Sequence, residues 1–478
     1  MLFNSIEFGV FLILVFFLYW FVFNKNLRLQ NGLILIASYF FYGWWDWRFL
    51  TLILLSSLLD YIIGIGIHHS SKKVERKILL WVSVLVNIGI LGFFKYFNFF
   101  LDTLYDVNPG LQSILGFNSL SIILPVGISF YTFQTLSYSF DVYNKKIRPT
   151  YDFLSFGAYV SFFPQLVAGP IERASHLLPQ FQKGRTFCYP NAINGLRQIL
   201  WGLVKKVVIA NQCAKYADTI FDGSDLYGGS TLLVGAVFFA FQIYGDFSGY
   251  SDIAIGTARL FGFDLTRNFA FPYFSRDIAE FWRRWHISLS TWFRDYVYIP
   301  LGGSRMDKTE TIRNIFVIFL LSGLWHGANW TFIAWGFLNA LYFLPYLLLK
   351  QNRKNLGVVA ENSFLPSLKD VINILSTFFL ICLAWIFFRS QNLTQAIGIL
   401  DRIFSLSVLE IPEFRPWYLF LDIIIFMIIE WLGRRSSFAI ENLSLNIGKP
   451  LRYAFYYIII LIIFWKGGSE EPFIYFQF

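Results

Sequence analysis

The chain has 478 residues, 56% hydrophobic and only 14% charged, with 39 Lys and Arg against 30 Asp and Glu and a net charge of +9. A soluble chain of this length carries about 120 charged side chains, so this one cannot coat a water-facing surface. Its hydrophobicity also excludes intrinsic disorder.

Mean hydropathy is +0.54, and the Lys and Arg lie in short runs between apolar segments. Positive-inside topology in a lipid bilayer explains the basic balance better than nucleic-acid binding does. The 57 Phe, 26 Tyr and 16 Trp exceed what two interfacial belts need, so many rings pack helix against helix. Cys188, Cys213 and Cys382 are widely spaced and odd in number, against a disulfide framework or a zinc site.

In chain order, a bilayer core of about 30 Å takes roughly 20 apolar residues of helix. The spacing predicts spans at 6–23, 31–45, 48–67, 78–101 and 119–140. The first lacks the basic flank and cleavage site of a signal peptide and reads as a retained span. Lys25 and Arg28, then Lys72, Lys73, Arg76 and Lys77, then Lys145, Lys146 and Arg148 are expected in the cytoplasm. The loop 102–118 carries Asp102 and Asp106 without Lys or Arg and is expected outside.

After residue 150 the pattern becomes irregular. The run 153–168 is short, contains Pro164 and ends in Gly169-Pro170, as a re-entrant or broken helix does. Such backbone is tolerated at membrane depth only where protein or a water-filled cavity satisfies it. Breaks are also expected in 231–262, at the polar stretch 245–252, and in 314–349, at 322–329. Plainer spans follow at 370–388, 417–433 and 451–465.

Phosphate-loop, HExxH, GxSxG and GxGxxG patterns are absent, removing the usual supports of ATP-driven transport, zinc proteolysis, serine hydrolysis and dinucleotide binding. The chemistry then rests on five histidines. His68 and His69 read as interfacial residues at a helix end, and His176 as a structural one. His286 lies in FWRRWHISLSTWFRDY, where helical spacing sets Trp282, His286, Leu289 and Phe293 on one arc and Arg283, Ser290 and Arg294 beside it.

His326, in FLLSGLWHGANWTFIAW, is the one histidine inside a long apolar run. Charge at that depth costs several kcal/mol and marks a pathway or active site, and a neutral imidazole is a competent general base. A histidine bonding a neighbouring helix is the plainer alternative. Gly323 and Gly327 permit close backbone approach or a kink, and Trp325, Asn329 and Trp330 are placed to line a cavity. Asp246 and Asp252 read as members of structural ion pairs, with Arg259 a candidate partner, or as groups orienting a histidine.

Three stretches carry a resemblance: SFFPQLVAGPIERASHLLPQF (161–181), FWRRWHISLSTWFRDYVYIPLGG (281–303) and LSGLWHGANWTFIAWG (321–336). Together they resemble the membrane-bound O-acyltransferases, in the branch that O-acetylates alginate, and the ends MLFNS and FIYFQF extend the likeness over the whole chain. The resemblance implies an all-α polytopic membrane protein, a ring of roughly 11 to 13 transmembrane or re-entrant helices around a central tunnel. One embedded domain is expected, with N-terminal spans at 1–150, a catalytic core at 151–349 and C-terminal spans at 350–478.

It also implies His326 as the near-invariant catalytic histidine, His286 as the second polar residue, and Trp325, Asn329, Trp282, Arg283, Gln165 and Pro170 as tunnel or substrate-binding candidates. No bound cofactor and no metal are expected. The acyl group comes from a cytoplasmic thioester, acetyl-CoA or an acyl carrier protein, and basic residues at 276–305 are candidates either to meet the donor's charge or to anchor the segment to lipid headgroups. A periplasmic SGNH-type acetylase is the implied partner, and the bacterial inner membrane the implied location. A transporter of an acylated precursor and a structural scaffold are the rival readings from other classes.

Overall fold

Small polar residues precede most of the apolar runs, and they cap helices by accepting the first free backbone N–H groups. Ser5 accepts from Phe8, Asn26 from Arg28 and Leu29, Asp152 from Leu154, Asp307 from Glu310, and Ser367 from Asp370. The computed structural model describes residues 1–116, 119–442, 448–468 and 473–474, and all regular structure among them is helical.

The chain forms two compact units, one of Met1, Ser5–Cys188 and Leu260–Leu265, the other of Leu2–Asn4, Tyr189–Arg259 and the described residues from Thr266 onward. Five helical stretches among the described residues are long and apolar enough to cross a membrane: Leu27–His69, Lys73–Val107, Gly229–Leu260, Trp330–Leu348 and Leu368–Arg389. Large apolar side chains such as Leu14, Phe17, Leu85, Leu421, Ile425 and Leu461 face outward. This is a multi-pass, all-α membrane protein.

The first unit contains α1 (Ile6–Phe17), α2 (Leu27–Asp46), α3 (Leu50–His69), α4 (Lys73–Leu91), α5 (Phe97–Val107), α6 (Gly110–Leu115), α7 (Ile128–Tyr143), α8 (Phe153–Val160) and α9 (Ala174–Phe181). Its interior holds a polar cluster among buried apolar side chains. Between α3, α4 and α7 the fully buried Asp60 accepts from Ser83 Oγ (2.5 Å), Ser139 Oγ (2.7 Å) and Asn87 Nδ2 (2.8 Å). Buried polar groups are tolerated at such cost only when bonded in this way.

The span expected at 119–140 begins as helix only at Ile128. Pro125 is unsuited to a helix interior, and Gly127 takes φ 75° with its Cα so close to Leu166 O that a Cβ would sit 2.8 Å from it. Residues 117 and 118 of the loop expected at 102–118 lie outside the described residues.

The expected break after 153 is present. α8 stops at Val160, and the irregular backbone from 161 to 172 is buried, with Phe163 N bonded to Ser38 Oγ at 3.0 Å and Gln165, Leu166 and Gly169 N bonded within the segment.

Among the remaining histidines, His69 Nε2 meets Tyr151 OH at 3.2 Å. His176, on α9 outside the spans, lies between Glu172 (2.8 Å) and Asp264 (3.5 Å). The hydrogen bond to Asp264 and then that to Glu172 push its pKa up to about 10. A raised pKa stabilises the folded state fully below the unfolded value of about 6.5 and loses that contribution as pH rises through the folded value. Thermal unfolding of His176→Gln beside the parent protein is therefore expected to show the parent's advantage in full at pH 6 and none beyond about pH 10.

The second unit contains α10 (Tyr189–Leu203), α11 (Asn211–Asp222), α12 (Gly229–Leu260), α13 (Ile278–Arg284), α14 (Ile287–Phe293), α15 (Lys308–His326), α16 (Trp330–Leu348), α17 (Leu368–Arg389), α18 (Leu393–Ile403), α19 (Trp417–Gly433) and α20 (Lys449–Lys466). Contrary to the break expected at 245–252, α12 runs unbroken through it for 32 residues. Its polar groups are answered by the π-helical turn Val204–Ala210 that follows α10. Lys205 Nζ meets Asp252 at 2.9 Å and Ser248 at 2.7 Å, Lys206 meets Asp246 at 2.6 Å, and Arg259 donates to Gln198 instead of to an aspartate.

Glycines bring the two backbones together. A Cβ on Gly202 would fall 2.6 Å from Gly249 O, and one on Gly249 would fall 2.7 Å from Gly202 O. Gly249→Val is expected to cost at least the 1–3 kcal/mol typical of overpacking, about that range, read as a lowered melting temperature of the detergent-solubilised protein.

The break expected at 322–329 is present between α15 and α16. A Cβ on Gly323 would collide with Phe332 O, one on Gly336 with Phe319 O, and one on Gly327 with the Phe332 ring. This tight hairpin positions His326.

Candidate active site

The helix expected through 282–296 is interrupted, and the interruption places His286. α13 ends at Arg284, α14 starts at Ile287, and His286 between them has φ 44° and ψ 53°. A non-glycine residue in the left-handed region costs about 1–3 kcal/mol and persists only where the surroundings impose it. Here the segment 268–270 runs alongside, with Ala270 N bonded to Arg284 O and Ile287 N to Asn268 O, both at 2.9 Å.

Asn268, fully buried, gathers three donors on Oδ1: His286 Nδ1 (3.1 Å), Ser288 N (3.2 Å) and Ser288 Oγ (2.9 Å). Its Nδ2 donates to Ser251 Oγ at 3.2 Å. A backbone N–H can only donate, so the Asn268 atom facing Ser288 N is the carbonyl oxygen. The His286 nitrogen facing that oxygen then carries hydrogen, and the ring's lone pair sits on Nε2. Nε2 is buried and has no hydrogen-bond partner among the described residues.

His326 is the last residue of α15 and 3% exposed. Its ring stands in a box of aromatics, with centroids 5.0 Å from Trp325, 5.1 Å from Trp335 and 5.2 Å from Phe388. The His286 ring is 6.3 Å away, itself 4.6 Å from Phe247 and 5.8 Å from Trp325. Two buried imidazoles, one ending α15 and one in the turn between α13 and α14, thus lie side by side among aromatic rings, where a lone pair can take a proton.

The other candidates occupy distinct places. Trp325 lies between the two histidines. Trp282 stacks edge-on against Trp335 at 5.6 Å and lines a cavity of about 130 Å³ with Phe319 and Ser322; its Nε1 is buried with no hydrogen-bond partner among the described residues. Asn329 caps α16 through Thr331 N and donates to Gln391 O at 2.9 Å. Arg283 donates to Asn352 O (2.6 Å) and Asn355 O (2.7 Å), holding the loop after α16.

Gln165 and Pro170 belong to the first unit, in the buried irregular segment after α8, where Gln165 Nε2 donates to Tyr159 O at 3.4 Å. Four of the five arginines at 276–305 are engaged within the protein, Arg283 as above. Arg276 and Arg284 pair with Glu280 at 3.0 and 2.7 Å, and Arg294 pairs with Asp295 at 2.7 Å. Of the terminal FIYFQF, Phe473 lies 6.0 Å from Phe247 and Ile474 N donates to Asp246 at 2.6 Å; residues 475–478 lie outside the described residues.

Three contributors escaped the sequence reading. Asn268 lies 18 positions before its histidine in a loop without periodicity. Trp335 and Phe388 belong to α16 and α17, whose apolar runs mark them only as membrane helix.

The model of the membrane-bound O-acyltransferase family matches residues 40–388, a range that includes both histidines. A probable alginate O-acetylase of Pseudomonas aeruginosa is 41% identical over 391 residues, 81% of this chain and 72% of the relative. One from Pseudomonas putida is 36% identical over 478 residues, 94% of this chain and 95% of the relative. A peptidoglycan O-acetyltransferase of Helicobacter pylori is 36% identical over 409 residues, 80% of this chain and 75% of the relative. With the paired histidines in their aromatic pocket and these likenesses over most of its length, the chain is an O-acyltransferase and belongs to the membrane-bound O-acyltransferase family.

Proposed function

We propose that this enzyme takes an acetyl group from a cytoplasmic thioester, acetyl-CoA or an acyl carrier protein, and delivers it across the bacterial inner membrane for O-acetylation of an exported polysaccharide of the alginate type. A periplasmic SGNH-type acetylase completes the transfer. The names of the similar proteins support the acceptor class, and the single observation that carries the chemistry is the pair of buried imidazoles 6.3 Å apart.

In this mechanism one imidazole removes the proton from the acceptor oxygen as it attacks the thioester carbonyl. The C–O bond forms, the C–S bond breaks, and the thiolate leaves with the proton returned to it. His326 is the base; His286, with its lone pair on Nε2, orients the acceptor or relays the proton. The rings around them exclude water, which would otherwise hydrolyse the thioester.

The test supplies labelled acetyl thioester to sealed inner-membrane vesicles carrying the protein, the periplasmic acetylase and alginate. Label on alginate hydroxyls, lost in His326→Ala vesicles, supports the proposal. Label on peptidoglycan instead moves the acceptor, and transport of an acylated precursor without cleavage of the thioester overturns the reading.

A further inference from the structure

The arginines around Glu280 and the loop after α16 are engaged, yet three cations nearby are not. Lys308 opens α15, Lys350 follows α16 with φ 55°, and Arg353 stands in the loop that Arg283 holds by the carbonyls on either side, those of Asn352 and Asn355. All three line one cavity of about 330 Å³, together with Ser304 and Thr311. None of the three side chains has a hydrogen-bond or ion-pair partner among the described residues.

Three like charges around one cavity raise the local positive potential and draw anions to it. Asp307, the nearest carboxylate in sequence, caps α15 by accepting from Glu310 N at 2.7 Å and does not line the cavity.

Part of the lining is apolar and exposed, Met306 at 44% and Leu348 at 46%. Exposed cations beside exposed apolar side chains suit a phosphate carried on something greasy or long, more than a bare ion.

We infer that this cavity between the start of α15 and the end of α16 is a binding site for a phosphate group, held by Lys308, Lys350 and Arg353. The phosphate comes either from an anionic phospholipid, its chains along Met306 and Leu348, or from a soluble pyrophosphate compound. The inference does not depend on the acyl-transfer mechanism, because it rests on charge and cavity alone.

The experiment compares wild-type protein, the variant Lys308→Gln/Lys350→Gln/Arg353→Gln, and a control of equal charge, Lys25→Gln/Lys72→Gln/Lys73→Gln. Each is assembled in phosphatidylcholine nanodiscs with and without phosphatidylglycerol, and native mass spectrometry counts retained phospholipid. In a second arm, inorganic pyrophosphate and coenzyme A are titrated into the phosphatidylcholine samples.

Retention of phosphatidylglycerol by wild type and control, weakened on the order of 100-fold in the cavity variant, supports the site with lipid as its source. The same dependence seen only with pyrophosphate or coenzyme A supports the site with a soluble source. A cavity variant that matches the control in both arms overturns the inference.

Discussion

Replacing His326 by alanine is expected to lower acyl transfer by about 10²- to 10⁴-fold, the usual worth of a positioned general base, while leaving protein abundance in the membrane near normal. The expectation follows from where the ring sits. His326 ends α15, and the helix is held by packing that the substitution does not touch, through Gly323 against Phe332 O and Gly336 against Phe319 O. The box of Trp325, Trp335 and Phe388 would keep its shape around a smaller side chain. Loss of activity then reports chemistry and not collapse. The measurement is the initial rate of polymer acetylation per unit of protein in vesicles, with thioester hydrolysis followed in parallel. Undiminished transfer at normal abundance would sink the assignment of His326 as the base.

What the sequence made legible depends on how local the cause was. The break between α15 and α16 was visible because an apolar run of 36 residues, about 54 Å as one helix, exceeds a bilayer unless tilted and holds glycines at its polar interruption. The same logic failed for α12. Its polar stretch looked like a break, but Lys205 and Lys206, some forty residues earlier, answer Asp252 and Asp246. Nothing in the local pattern distinguishes a polar stretch that breaks a helix from one that another helix satisfies.

His286 shows the opposite error. Its motif reads as one amphipathic helix, yet bonds from the segment 268–270 to Arg284 and Ile287 force the chain through a left-handed turn. The two histidines were found as chemically exceptional residues in a chain with little charge. Their aromatic box was not found, because in a chain 21% aromatic one more Trp or Phe carries no signal.

The second large effect is expected at Asn268, and it separates a positioning role from a structural one. Asn268→Leu removes the acceptor shared by His286 Nδ1, Ser288 N and Ser288 Oγ. Each buried donor left unbonded costs about 1–3 kcal/mol, and His286, no longer held by that acceptor, is free to adopt the other tautomer, with hydrogen on Nε2. A turnover number lower by about 100-fold is expected, two powers of ten corresponding to roughly 2.8 kcal/mol. KM for the thioester should change little, since Asn268 is fully buried behind the histidine.

Asn268→Asp supplies the control. An aspartate oxygen accepts the same three hydrogen bonds and keeps hydrogen on Nδ1, so a large part of the turnover lost in Asn268→Leu should return. A residue that only supports the fold would give a different pattern: activity would fall only in proportion to the folded protein, with turnover per folded molecule unchanged, and a buried carboxylate would do as much harm as the leucine. The measurements are turnover and KM for both variants, with melting curves of the purified proteins. If Asn268→Leu retained wild-type turnover, His286 would not need its tautomer fixed, and its place in the reaction would have to be given up.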